Sequence, residues 1–149
     1  MSEKNEPNRI EPALVKAVQR FSQSDCSWLS TIRPDGRTHL SPMWHVWHRG
    51  RIYLVTPATS VKVANLKKNP SVSIAHPDPS DVIIIEGQAV IADGMTETLK
   101  PLFQEKYQWD ISTDRDYNTI VEITPLRMMA WNNSPVQRWG RAELSHFYE

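Results

Sequence analysis

A hydroxyl and an ammonium group stand two residues apart at Ser60 and Lys62, ahead of a short segment that Asn69-Pro70 must end. Pro57 stops a strand-type run just before them, and Ser60 is a good N-cap, so the spacing predicts a helix from Ser60 through Lys68 set against a β-hairpin. The first N–H groups of a helix lack intrahelical partners and carry the positive end of its dipole. A cation and a hydroxyl added there make a place for a phosphate. The competing readings are a simple cap for Ser60 and a solvated lysine for Lys62. Asn65 shares the helix and either faces the site or packs back on the fold.

Other groups that invite a chemical reading carry less. His45 and His48 lie three apart on an expected strand, so their imidazoles point to opposite faces and cannot share an ion. His39 and His45 share a face but are separated by roughly 20 Å of extended chain. No CxxC or HExxH pattern occurs, nor a Ser-His-Asp grouping or a glycine-rich phosphate loop. Cys26 has no sequence neighbour to activate it. Glu86 follows an apolar run and is expected to be buried or at an interface, as part of a structural ion pair.

The elements that must position the site read as strands joined by tight turns. Ser27 to Ile32, Thr38 to Trp47 and Arg51 to Thr56 are strands, with turns at Asp35-Gly36 and His48-Arg49-Gly50. Val72 to Ala75 follows the helix, then a Pro-rich loop, then a long strand from Val82 to about Ala92 with Gly87 as a bend or bulge. Thr119 to Thr124 and Met128 to Trp131 close the sheet. Leu14, Val15, Val18 and Phe21 give an N-terminal helix behind Pro12. A second helix carries Leu99, Leu102, Phe103 and Tyr107, and Pro101 places its start near Leu99. About seven strands and three short helices, without a βαβ rhythm, predict a mainly β, antiparallel barrel in a single domain over 11–149. Residues 1–10 are expected to be a flexible tail.

Composition excludes several function classes. Seventeen basic and 17 acidic residues cancel, without a long run of either sign, which argues against nucleic acid or a membrane surface as partner. No apolar run approaches the roughly 20 residues of a membrane helix. The polar N-terminus lacks a signal-peptide core, and one cysteine cannot form an internal disulfide, so a reducing cytoplasm is the expected location. Six tryptophans are too many for the core of one small barrel. They point to an interface or a planar ligand.

The run from Leu29 to Ala75, with its Arg33-Pro-Asp-Gly36 turn, Thr38-His-Leu-Ser-Pro-Met-Trp44 strand and Ser60-x-Lys62-x-x-Asn65-Leu66-x-x-Asn69-Pro70 helix, resembles the pyridoxamine 5′-phosphate oxidase-like split β-barrel flavoproteins. The resemblance implies the split-barrel fold, an FMN cofactor and a homodimer with flavin at the interface. It places the flavin ring along the backbone of His39, Leu40, Ser41, Pro42, Met43 and Trp44, and the phosphate near Val55, Thr56, Ser60, Val61 and Lys62. It also implies that Trp131 and Arg141, ten residues apart, with Trp139 between them, reach the partner's flavin. Where the oxidases proper carry three cations, this chain has His39, Trp44 and Val61. Pyridoxamine 5′-phosphate is therefore not the expected substrate. The expectation is an FMN-dependent oxidoreductase with a small-molecule electron donor and acceptor, no dedicated acid or base, and a groove lined by Met43, Trp44 and Trp139. The alternatives are a reductase using the deazaflavin coenzyme F-420, or a flavin- or haem-binding stress protein without turnover.

Overall fold

The computed structural model describes residues 10–148. Apart from Ile10, the expected tail lies outside them, and Ile10 itself packs against the core. Eight strands form one antiparallel sheet: β1 Ser27–Ile32, β2 Thr38–Met43, β3 Val46–His48, β4 Arg51–Thr56, β5 Ser71–Ala75, β6 Val82–Ile91, β7 Thr119–Trp131 and β8 Gln137–Gly140. Their order is β2-β1-β5-β6-β7-β4-β3, with β8 added on β7. The sheet curls around an apolar core as a split β-barrel, with helices α1 Pro12–Gln23, α2 Val61–Lys68, α3 Thr96–Tyr107 and α4 Arg141–Leu144.

Turn chemistry sets the hairpins. Arg49 and Gly50 both have positive φ, 49° and 79°, as a two-residue turn between β3 and β4 requires. A side chain at Gly50 would also meet Tyr148 Cδ1 at 2.7 Å, because the C-terminal 3-10 turn, Ser145–Tyr148, rests on this hairpin. Gly87 sits at the expected bulge. The register of β6 on β7 shifts between Glu86, opposite Arg127, and Gly87, opposite Pro125. Leu126 is the extra residue, and beyond it the inward positions of β7 change from Val121 and Ile123 to Met128 and Ala130. A Cβ on Gly87 would lie 2.4 Å from the Thr124 carbonyl oxygen, so only glycine lets the two backbones approach. The two short strands expected over 119–124 and 128–131 are therefore one strand, which the bulge carries past Pro125.

β4 is buried on both faces. Ile52 and Leu54 enter the barrel core, whereas Tyr53 and Val55 face a second cluster under α3, with Leu99 and Phe103. α3 begins at Thr96, three residues earlier than expected, and Pro101 lies inside it. Fully buried Leu99 and Phe103 on either side of the proline hold the helix despite the lost backbone bond. α1 turns Leu14, Ala17, Val18 and Phe21 inward, so Ala17 takes the place expected of Val15. Glu86 is exposed on the outer face of β6 and not buried, because the alternation of β6 sends Ile83, Ile85, Gly87 and Ala89 inward.

The expected strand from Thr38 to Trp47 is broken. β2 ends at Met43, and β3 starts at Val46. Between them His45 turns fully into the interior, where its Nε2–H donates to the Phe21 carbonyl at 2.8 Å and its Nδ1 accepts from Ser27 Oγ at 2.9 Å. Both ring nitrogens are engaged, and burial pushes the imidazole down to a pKa of about 3. This kink frees Trp44 from strand alternation and directs it outward.

Candidate functional site

A cleft of about 520 Å³ opens where the end of β2, the end of β4, the start of α2 and the loop after α3 meet. That volume lies within the span typical of small-molecule sites, about 300–1,000 Å³. It has two chemically different ends.

The polar end is built by Thr56, Ser60 and Lys62. Ser60 has extended backbone and accepts from the Val63 N–H at 3.4 Å, so it is the N-cap of α2 as expected. Lys62 Nζ donates to Thr56 Oγ1 at 3.2 Å, and Thr56 Oγ1 donates to Ser60 Oγ at 3.4 Å. The chain of donors leaves the Ser60 hydroxyl hydrogen uncommitted. Lys62 makes no ion pair among the described residues, and partial burial lowers its pKa from the usual lysine range. A partly desolvated ammonium with one neutral partner is a site that an anion would stabilise.

The aromatic end is built by residues far apart in the chain. Trp44 lies parallel to Tyr107, 4.5 Å between ring centroids and 1° between planes. Trp109 meets Trp44 edge-on at 5.9 Å and Tyr117 at 5.8 Å. Gln108, in a left-handed conformation with φ 52°, ends α3 and swings the following loop over the cleft. Asp114 anchors that loop by accepting from Trp109 Nε1 at 3.0 Å and from the Tyr117 N–H at 2.9 Å. These bonds hold its carboxyl below the usual range, the Tyr117 amide contributing most. Asn118 Oδ1 accepts from the Ala58 N–H at 3.3 Å and so ties the loop to the approach to α2.

Of the residues expected at a cofactor, Pro42, Met43, Trp44, Val55, Thr56 and Lys62 line this cleft, and Ser60 adjoins it through Thr56. Val61 is exposed at the first position of α2. Leu40 is exposed on the outer face of β2, and neither His39 nor Ser41 lines the cleft. Instead His39 Nδ1 and Ser41 Oγ are buried without partners on this edge strand. Asn65 is a packing residue, its Nδ2 donating to Thr31 Oγ1 at 3.0 Å in the interior.

The C-terminal residues do not line this cleft. Trp139 is 5 % exposed and donates from Nε1 to Glu11 at 2.8 Å. Segment 137–140 forms β8, whose pairing of Trp139 with Met128 sends the indole into the core. Trp109, not Trp139, supplies the groove's second indole. Trp131 is half-buried at the end of β7, beside Lys16 and Arg20, and Arg141 is exposed at the start of α4. Tyr107, Gln108, Trp109, Asp114 and Tyr117 were not among the expected site residues. The excess of aromatic residues was the available signal, but it carried no address.

A family model described as pyridoxamine 5′-phosphate oxidase matches residues 14–132. Among curated proteins, none matches the chain in sequence. Solved structures share the fold at low identity. General stress protein 26 from Bacillus anthracis is 24% identical with a TM-score of 0.67, over 85% of this chain and 98% of that one. An F420 reductase is 20% identical with a TM-score of 0.62, over 74% of this chain and 94% of the other. A heme binding protein from Mycobacterium smegmatis is 15% identical with a TM-score of 0.74, over 93% of this chain and 62% of that one.

Proposed function

The chain belongs to the pyridoxamine 5′-phosphate oxidase family, and from that premise we propose that it is an FMN-binding oxidoreductase, a homodimer, acting on a substrate other than pyridoxamine 5′-phosphate. The observation that carries this reading is the partly buried Lys62 ammonium, bonded among the described residues only to Thr56 Oγ1 at the mouth of α2. Together with the Ser60 hydroxyl and the first N–H groups of α2, it fits a phosphate monoester. The open edge of β2, whose end residues Pro42 and Met43 line the cleft, fits a flat ligand with polar edges. Pro42 keeps that edge from pairing with another strand.

When bound, FMN supplies hydride transfer between a small-molecule donor and an acceptor, and the chain supplies binding, orientation and a water-poor aromatic wall. The cleft has one lining cation, Lys62, and one carboxylate, Asp114. A second dianionic phosphate there would lack charge compensation, which is why pyridoxamine 5′-phosphate is excluded from this proposal. Exposed Trp28 and Leu40 on the outer face of β1 and β2 support a dimer face beside the cleft. The single Cys26, without an internal disulfide partner, suits a reducing cytoplasm.

The purified protein should show a flavin absorption band, natively or after FMN is added, and light scattering should give twice the 17.2 kDa chain mass. A deazaflavin in place of FMN would give a band at shorter wavelength and correct the cofactor. Pyridoxal 5′-phosphate formation on the order of 0.1 per second or faster would overturn the exclusion of the vitamin B6 substrate.

A further inference from the structure

We propose that the open face of Trp44 is the stacking surface for a planar aromatic substrate without negative charge, seated beside the flavin and not in its place; the second half of this rests on the flavin reading above. Trp44 is 50% exposed, yet it is held in place. One face lies flat on Tyr107, and Trp109 abuts it edge-on. Among the described residues no second ring stacks flat on it. Tyr107 is itself fixed, because its hydroxyl accepts from the His45 N–H at 3.0 Å and lies 2.9 Å from the Asp25 carbonyl and 3.1 Å from that of His45. His45, next to Trp44 in the chain, is locked by Phe21 and Ser27.

An exposed indole ordinarily samples several rotamers, and a ligand that orders it gives up affinity for doing so. Here the ordering is done before any ligand arrives. A rigid indole with one face covered and one open favours a flat ring, since offset stacking gains most between parallel π-faces. The charges decide the class of ring. The polar end with Lys62 is assigned to the cofactor phosphate. At the aromatic end the Asp114 carboxylate is already taken by Trp109 Nε1 and the amides of Asp116 and Tyr117. These bonds do not cancel its negative charge, and no cation lines this end, so an anionic ring is repelled there.

The test uses three small probes at pH 7.5, titrated calorimetrically into the protein with and without saturating FMN: 4-methylquinoline, its planar anionic analogue quinoline-4-carboxylate, and saturated cyclohexanol. The proposal expects 4-methylquinoline to bind in the presence of FMN, well above both the anion and cyclohexanol. Trp44→Leu should weaken it about tenfold, and Trp44→Phe, which keeps a ring, should restore most of that. Displacement of the neutral probe by FMN would show that Trp44 faces the flavin itself and would overturn the proposal. So would an anion bound as tightly as the neutral probe, or equal binding of 4-methylquinoline by wild type and Trp44→Leu. Failure of FMN to bind would contradict the flavin reading alone, since the titrations without FMN still report whether Trp44 stacks a neutral ring.

Discussion

At the polar end of the cleft, Thr56 and Lys62 meet across six residues of chain, on a strand end and the helix that follows it. At the aromatic end, Tyr107 reaches the backbone of His45 across 62 residues. The first arrangement is local and needs only a cap, a helix start and a proline stop. The second exists only once α1, the kink at 44–45 and α3 have docked. One end can therefore change without disturbing the barrel, whereas the other is continuous with its core.

The largest test of that contrast is acidification. His45 has a folded pKa of about 3 against 6.5 for an unperturbed imidazole. Between those values the unfolded chain binds the proton and the folded one does not. The stability held by neutral His45 is thus full above pH 6.5 and is lost as pH falls toward 3, by about 1 kcal/mol per pH unit. Urea midpoints at pH 7 and pH 4 measure it. His45→Gln should start less stable and lose less on acidification, and parallel losses in both proteins would show that His45 is not buried neutral.

Tyr107→Ala comes next. It removes the ring under Trp44 and the hydroxyl that braces Asp25 and His45, and should cost about 3 kcal/mol of stability by chemical denaturation. Lys62→Ala should change stability by no more than about 0.5 kcal/mol. Equal costs at the two positions would erase the distinction between the ends. Ser60→Ala, which removes the cap on Val63 N–H, should fall between these two and cost about 1 kcal/mol. A loss above about 2 kcal/mol would mean that the polar end is not local after all.

The same contrast explains what the sequence made legible. Ser60, Lys62, the glycine turns and the bulge at Gly87 are short-range signals, and each stands where its local chemistry required. Asn65 was visible but ambiguous, and its bond to Thr31, 34 residues away, settled it as packing. The break at 44–45 was hidden because an alternating run gives no warning that one histidine will satisfy both nitrogens inside the fold. Trp109 and Trp139 could not be told apart by composition. Pairing of β8 on β7 takes Trp139 into the core, and the loop after α3 brings Trp109 to the cleft.

The central claim is that Lys62 holds the phosphate of a bound flavin. The most direct measurement compares FMN with riboflavin, which lacks the phosphate, in wild type and Lys62→Ala. A charge-assisted contact is worth about 1.5–3 kcal/mol, or roughly ten- to a hundredfold in affinity. Wild type should prefer FMN by about that factor, and Lys62→Ala should lose most of the preference while binding riboflavin as before. Equal affinity of wild type for the two ligands, or an FMN preference unchanged by Lys62→Ala, would contradict the account.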